Sequence, residues 1–590
     1  MKKIINRPET IVRDMCHGIV LAHPDLELVT KYHAVKRTQI SSDKVTLISG
    51  GGSGHEPAHA GFVGKGMLDA AVCGDVFASP SQIQVYQTIK RVASEKGTLL
   101  IIKNYSGDIM NFKNAAHLAQ EDGITVDYVI VNDDIAVEDS LYTVGRRGVA
   151  GTMFVHKLAG AAAERGEDLA EVARIAQKAA NQVCSLGFAL TSCTVPAKGS
   201  PTFELSDDEI EYGVGIHGEP GIRREKLLSA HEMAGRIVGS ICHELDIQSG
   251  AETRVALLIN GFGATPLMEL YLLNNEVSKE LYKRRIKVAR TFVGNYMTSL
   301  DMSGASVSLL KLDDELEELL NDPCDTPGLK VTGPSENAFP ISDWCSEDDL
   351  CEATAKQNTE VPEEYAYIEN QVLTLKNIMY MMDVMSKSAI DNEISFCEMD
   401  AHAGDGDFGM SIAKGFQQIK CEWNEIISMP NLDIGSFLDA CSLVMMEHCG
   451  GASGPIWGSA FRMAGKSAIG KHTLDVAEFA QMMLAAIEGV QSTGERSFGR
   501  GAVIGDKTLI DALIPCANSL KASAEKEEGI KAALLEGAAA AQNGAEKTKE
   551  IVARMGRAGL VGERSLGYPD AGAYALGVIF GDIAQAMQEK

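Results

Sequence analysis

No stretch of this sequence approaches the ~20 consecutive apolar residues that a membrane helix needs. The opening Met-Lys-Lys-Ile-Ile-Asn-Arg-Pro has neither the apolar core nor the cleavage site of a secretory signal. Paired cysteines are lacking too. The thirteen cysteines stand singly, with no Cys-x-x-Cys, and their number is odd. That pattern argues against a disulfide framework or a zinc site and for reduced thiols in a cytoplasm. Positive charge is scarce: 54 Lys and Arg face 81 Asp and Glu, a net charge of −27. Such a field disfavours sequence-independent binding to nucleic acid or an anionic membrane, and a phosphorylated ligand would need local cations to offset it. Neither a Gly-x-x-x-x-Gly-Lys-Ser/Thr phosphate loop nor the protein-kinase motif set occurs. The expectation is a cytoplasmic protein with no nucleic-acid or membrane partner.

What is present is a chain of 590 residues, too long for one core, with 45% apolar and 23% charged residues. Up to about residue 320, strand-like runs (Val45–Ser49, Thr98–Lys103, Val126–Val131, Val255–Ile259, Lys287–Phe292) alternate with helix-like ones. Continuous apolar strands between helices predict a mostly parallel sheet covered on both faces, with room for two α/β subdomains. A glycine-rich, β-prone run from Cys184 to Val214 breaks the alternation. From Asp322 to Glu364, five prolines and many acidic and hydroxyl residues show no period, which predicts an extended linker. Residues 365–590 read as almost wholly helical, a bundle of about eight helices with any site at the end where loops meet. Its methionine stripes are expected as core filler.

The first half is organised around Thr46-Leu-Ile-Ser-Gly-Gly-Gly-Ser-Gly-His-Glu-Pro57. Glycines there let the backbone turn and its N–H groups face a ligand, with His55 beside it, at the carboxyl end of a strand. A tight strand-to-helix turn is the other reading. Ile101-Ile-Lys-Asn-Tyr-Ser-Gly-Asp108 places Lys103 and Asp108 at a second strand end, where parallel strands would bring them to His55. A histidine, a lysine and an aspartate at a glycine cradle suit a small polyhydroxy compound. In Gly213-Val-Gly-Ile-His-Gly-Glu-Pro-Gly221, His217 is either structural or an accessible imidazole nucleophile toward a carbonyl. Thr298-Ser-Leu-Asp-Met-Ser-Gly304 is a polar turn with no role that residue chemistry assigns.

In the second half, Asp400-Ala-His-Ala-Gly-Asp-Gly-Asp-Phe-Gly409 gathers Asp400, Asp405 and Asp407 within eight residues. Such a cluster is costly unless cations neutralise it, and hard oxygen ligands suit a phosphate-bridging Mg²⁺. A calcium loop is disfavoured, since Ser411 stands where a glutamate is required. Gly450-Gly-Ala-Ser-Gly-Pro455 precedes a helix and offers N–H groups to phosphate. Arg557 reads either as a solvated charge or as a partner for developing phosphoryl charge.

With these motifs in order, the chain resembles, nearly end to end, the single-chain ATP-dependent dihydroxyacetone kinases. A later Gly-Glu-Arg-Ser-Leu-Gly, Gly562–Gly567, adds to the match. The resemblance implies an α/β ketose-binding K domain (1–325), a linker (326–364) and an ATP-binding L domain (365–590) built as an eight-helix barrel. It implies that His217 holds dihydroxyacetone as a hemiaminal, that Gly52, Ser53, Lys103 and Asp108 bind its hydroxyls, and that His55 and Asp108 assist deprotonation. Asp400, Asp405 and Asp407 would hold two Mg²⁺. Phe408, Gly409, Met410, Ser411, Ala452, Ser453, Leu509, Arg557, Asp570, Ala571 and Gly572 would line ATP. A homodimer is also implied, in which one subunit's L domain can face the other's K domain. Phe408 and Ala571 depart from the family pattern, in which the corresponding residues are often polar and proline. A four-carbon ketose such as erythrulose, FMN-forming cyclisation of FAD, and a ketose sensor are the alternatives.

Overall fold

The computed structural model describes residues 2–137, 145–219, 221–249, 253–334, 361–555, 559 and 562–590. The chain forms two compact units, Met1–Cys345 and Ser346–Lys590.

The first unit holds two six-stranded sheets. The first runs β1(Leu26–Val29), β2(Ala34–Arg37), β4(Ala70–Val76), β3(Thr46–Ser53), β5(Thr98–Lys103), β6(Val126–Val131) in spatial order. From β4 to β6 it is parallel. The second runs β11(Lys287–Gly294), β10(Arg254–Gly261), β12(Gly304–Leu312), β7(Val183–Ala189), β8(Glu209–Tyr212), β9(Arg223–Lys226). Only its β10–β11 pair is parallel, so the expectation of a mostly parallel sheet holds for the first sheet and not the second. The run from Cys184 to Val214 supplies β7 and β8, joined antiparallel. Antiparallel strands need no helical crossover, hence the broken alternation.

Helices Thr152–Glu164 and Leu169–Gln182 pack between the sheets and share one core with both. In the second of these, Val172, Ile175, Ala176 and Ala179 form a buried stripe at helical spacing, and Asp168 caps its start. Helices Gln82–Val92 and Ser106–Glu121 cover the outer face of the first sheet. Ala230–Glu244 and Leu267–Lys283 cover that of the second. The start of the stretch read as a linker is folded instead. Cys324–Asp325 pairs with Lys330–Val331, and Cys324, Leu329 and Val331 are buried in the core of the first unit. Alternate apolar side chains there outweigh the prolines. Residues 335–360 of that stretch lie outside the described residues.

Among the described residues of the second unit, eight long helices follow one another: Leu375–Asp391, Phe408–Cys421, Ile434–His448, Ser453–Ser467, Val476–Phe498, Ile510–Glu525, Ile530–Lys547 and Ala571–Ala586. Each packs on the next and the last packs on the first, so the ring closes. Alanine and glycine at the contacts let the helices approach closely, while Met382, Met445 and Met482 lie in the core. The ring encloses an apolar cavity lined by Met381, Met382, Trp457, Met482, Leu513 and Leu534 among others. Among the described residues no helix is long and apolar enough to cross a membrane.

Candidate active site

The glycine run is not a turn after the strand; it is the strand's end. Gly50 and Gly51 pair with Val72 and Cys73 of β4 before the register shifts ahead of Ser53. A side chain at Gly50 would strike the Val72 carbonyl at 2.4 Å, and one at Gly52 would strike the backbone of Phe77 and Ala78 at 2.7–2.9 Å. Close approach of a neighbouring backbone requires these glycines. β5 lies parallel on the other side of β3 and ends at Lys103, so its polar extension opens at the same sheet edge. A Cβ on Gly51 would lie 3.3 Å from Lys103 Nζ and 3.4 Å from Asp108 Oδ2, which marks where the two side chains meet.

Three connections complete the site. The turn after β11 donates the Thr298 N–H to the His55 carbonyl (3.1 Å) and the Leu300 N–H to the Gly54 carbonyl (2.8 Å). His55 Nδ1 lies 2.8 Å from the Thr298 carbonyl oxygen. A carbonyl only accepts, so Nδ1 carries the proton and Nε2 keeps its lone pair. Burial first, then the Lys103 charge, hold the His55 imidazole well below the usual histidine range, hence neutral. The turn after β4 sets the Phe77 ring parallel to His55, centroids 5.1 Å apart, and donates the Ser79 hydroxyl to Asp108. The connection between β8 and β9 brings in His217, whose ring stands edge-on to His55 at 4.7 Å, Tyr105 at 4.6 Å and Phe77 at 5.2 Å.

His217 Nδ1 is 3.7 Å from Glu219 Oε1, and the Glu219 carboxylate also accepts the His217 backbone N–H at 2.8 Å. Glu219 in turn faces Arg147 at 3.6 Å, and that fully buried guanidinium is bonded to Asp134 at 2.7 Å and to the Gly213 carbonyl at 2.8 Å. Burial alone would raise the Glu219 pKa; His217 and Arg147 outweigh it and bring it down to about 2. Glu219 is therefore a fixed anion on the Nδ1 side of His217, which leaves Nε2 for chemistry. Burial lowers the pKa of Lys103 and raises that of Asp108. His55 Nε2, Lys103 Nζ and the Tyr105 hydroxyl are buried without a hydrogen-bond partner among the described residues. Orphaned buried polar atoms are rare, and three of them at one sheet edge point to a ligand rich in oxygen.

In the second unit, one ligand oxygen from each of Asp400, Asp405 and Asp407 lies within 4.8 Å of the others. Helix Glu393–Asp400 ends at the first, and helix Phe408–Cys421 begins just after the last. The Gly406 N–H donates to Asp400 Oδ2 at 2.9 Å, with Gly406 in the left-handed region (φ 78°). A side chain on Gly409 would meet the Glu393 carbonyl at 2.0 Å, so glycine lets the two helices touch. The three carboxylates form a hard oxygen set that fits Mg²⁺. The Gly450–Ser453 loop reaches this cluster: a Cβ on Gly450 would sit 3.4 Å from Ser411 Oγ, and one on Gly451 4.0 Å from Asp407 Oδ2. Ala452 and Ser453 follow and open the helix Ser453–Ser467. Asp570 caps the last helix by accepting from the Ala573 N–H at 2.8 Å. Burial chiefly, with Asp511 and Asp400 adding to it, pushes its pKa up to about 7. Ala571 is buried, and Gly572 abuts Leu509, whose Cβ would lie 3.1 Å from a Cβ added there. Phe408 is turned toward Phe396 in the core, with ring centroids 6.3 Å apart, whereas Met410 is exposed. Arg557 lies outside the described residues.

The structure thus brings His55, Lys103, Asp108 and His217 together with Gly52 and Ser53, and groups the acidic triad with Ser411 and the Gly450–Ser453 loop. Sequence reasoning missed Phe77, Ser79, Arg147 and Glu219. Glu219 carried a signal, a carboxylate two residues past the exposed histidine; Phe77 and Arg147 carried none.

The Dak1 domain model matches residues 17–328 and the DAK2 domain model residues 402–585. The chain is 34% identical over 583 residues to an L-erythrulose 1-kinase of Mycolicibacterium smegmatis, with 98% of each chain covered. It is 34% identical over 605 residues to the triokinase/FMN cyclase of Rattus norvegicus, covering 100% of this chain and 99% of that one. Its first part is 51% identical over 328 residues to a PTS-dependent dihydroxyacetone-binding subunit of Listeria innocua, covering 55% of this chain and 99% of the subunit. The crystal structure of the dihydroxyacetone kinase of C. freundii matches over 99% of both chains at 31% identity and a TM-score of 0.57. A Dak1 and a DAK2 domain on one polypeptide, over folds shared with a solved kinase, place this chain in the dihydroxyacetone kinase family.

Proposed function

We propose that the protein is an ATP-dependent kinase of short ketoses, dihydroxyacetone first, that holds its substrate covalently on His217 and acts as a homodimer. The observation that carries this reading is the convergence of a partly buried imidazole, His217, with three buried orphaned groups at one sheet edge. Nε2 of His217 adds to the ketone carbon. The carbonyl oxygen takes up a proton and Nδ1 gives one up, so the hemiaminal forms without net proton change. Glu219 stabilises the imidazolium in passing. A triol such as glycerol has no carbonyl to attack and is refused. His55 Nε2, already bearing a lone pair, accepts the proton of the terminal hydroxyl that becomes the nucleophile, Asp108 assists by accepting a hydrogen bond, and Lys103 donates to the neighbouring oxygen.

Asp400, Asp405 and Asp407 would hold two Mg²⁺ ions, which when bound would clamp and neutralise the phosphates of ATP. Ser411, the Gly450–Ser453 loop, Leu509 and Asp570–Gly572 flank that place; the remaining nucleotide contacts are assigned to Phe408–Met410 and Arg557. A relative crystallised with AMP-PNP and Mg²⁺, at 31% identity over 99% of both chains, supports the pairing. The fusion of both domains supports exchangeable ATP over the separate-subunit, PTS-dependent arrangement of the Listeria relative. The erythrulose kinase and triokinase/FMN cyclase relatives keep a four-carbon ketose and flavin cyclisation as second readings.

The test is a coupled ADP-release assay with Mg²⁺, comparing dihydroxyacetone, both erythruloses, glyceraldehyde and glycerol. Turnover with dihydroxyacetone and none with glycerol is expected. Preference for an erythrulose keeps the mechanism and changes the substrate. Turnover of glycerol at the ketose rate overturns carbonyl capture.

A further inference from the structure

Two bulky residues take left-handed backbone at one point. Phe77 (φ 58°) and Leu300 (φ 56°) both lie over Gly54, where a Cβ would meet Phe77 Cε1 at 2.9 Å and Leu300 Cδ2 at 3.2 Å. Left-handed backbone is costly for large side chains and persists where the surroundings impose it, commonly at ligand sites. The surroundings do so here. The Phe77 N–H is tied to the Ser53 carbonyl at 2.9 Å, and the next residue's N–H to Asp75 at 3.0 Å.

The outcome is a phenyl ring parallel to His55 (5.1 Å, 19°) and edge-on to His217 (5.2 Å, 86°). These are the two groups that, on the reading above, must both touch the ketose. The Phe77 ring therefore borders both groups that the ketose must reach. Tyr105 also stands edge-on to His217 at 4.6 Å, and Glu219 lies on its Nδ1 side at 3.7 Å. Lys103 and Asp108 meet beside Gly51 and offer polar groups suited to hydroxyls.

We propose that Phe77 sets the carbon-chain length of the accepted ketose, its ring standing where a carbon beyond the third would go. The inference rests on the ketose-capture reading. Its sign is fixed by size: a smaller residue admits longer chains, a larger one excludes them. One methylene in an apolar pocket is worth about 10- to 200-fold in kcat/KM.

The experiment uses the full chain and its Phe77→Gly, Phe77→Ala and Phe77→Trp variants. Glycine tolerates the left-handed backbone, so Phe77→Gly keeps the turn even where Phe77→Ala strains it. Two readouts are taken: kcat/KM for dihydroxyacetone and for each erythrulose at saturating Mg-ATP, and capture of [2-13C]dihydroxyacetone by NMR, in which the ketone carbon becomes tetrahedral on binding. The expected result is a rise of about tenfold or more in the erythrulose-to-dihydroxyacetone ratio for Phe77→Gly and a fall for Phe77→Trp, with the KM for Mg-ATP unmoved. A ratio that neither variant shifts, while the unmodified protein still captures the labelled ketone, overturns the role of Phe77 alone. Absence of any tetrahedral signal in the unmodified protein overturns the capture reading, and this inference with it.

Discussion

The two chemical centres of this chain are built on opposite principles. Around His217 the charges are hidden: Asp108, Lys103, Arg147, Asp134 and Glu219 are all buried, and His55 is held neutral. Around Asp405 they are on view: Asp405 is exposed, and Asp400 and Asp407 are only half-buried. On the proposed capture, adding a nitrogen to a ketone would require one protonation state at each position, which burial favours. Clamping phosphates through cations requires anions that stay ionised in water until the cations arrive. The sharpest way to break the comparison is to remove one key group from each side. His217→Ala should abolish ketose capture and lower turnover by at least about 10³-fold, while Mg-dependent nucleotide binding persists. If the labelled ketone still became tetrahedral in that variant, another residue would be the nucleophile.

Asp405→Asn should do the reverse, leaving capture intact and lowering turnover by about 10²-fold. It carries a second signature. Mg²⁺ should raise the melting temperature of the unmodified protein more than that of the variant, which has lost one cation ligand. Thermal melts with and without Mg²⁺ read this; a variant that responds to Mg²⁺ like the parent would remove Asp405 from the metal site.

A smaller effect on turnover, but one confined to the hidden centre, comes from Glu219→Gln. The carboxyl has an ordinary value near 4.5 and about 2 in the folded chain. A depressed folded pKa contributes stability that is complete above pH 4.5 and is lost as the pH falls through 2. The contribution is on the order of 3 kcal/mol at neutral pH. Glu219→Gln should therefore be less stable at pH 7 and should show a shallower acid loss between pH 4.5 and 2. Denaturant midpoints across that range are the measurement, and parallel acid limbs in the two proteins would count against an ionised Glu219 beside His217.

How much of this was legible before the structure follows from the same contrast. The exposed centre is local: Asp400, Asp405 and Asp407 span eight residues, so their spacing alone suffices to gather the three carboxylates that the fold brings together. The hidden centre is long-range. His55, Lys103, Asp108 and His217 were visible as polar residues at strand ends, and two parallel strands suffice to collect the first three. Phe77 and Arg147 were not visible, because a phenylalanine after Asp-Val and an arginine in Gly-Arg-Arg-Gly look like any core or surface residue until the fold places them. The strand β4 was missed for a related reason. Ala-Ala-Val-Cys-Gly-Asp-Val is a weak strand on propensity, and pairing with β2 and β3 decides its conformation. The turn Thr298–Gly304 had no residue-level role because its contribution to His55 is a backbone oxygen.

His55 is oriented by the Thr298 carbonyl, whereas the Thr298 hydroxyl donates elsewhere, to the Glu56 carbonyl at 2.9 Å. Thr298→Val keeps shape and carbonyl and removes only the hydroxyl. Stability should fall by about 1 kcal/mol, the ordinary worth of one buried hydrogen bond. The pH profile of kcat/KM should not move, because the tautomer and burial of His55 are untouched. A shifted profile with an intact fold would mean that the hydroxyl tunes the base after all. The hidden centre would then depend on side chains at its outer edge, as the exposed centre depends on its aspartates, and the contrast between the two would narrow to burial alone.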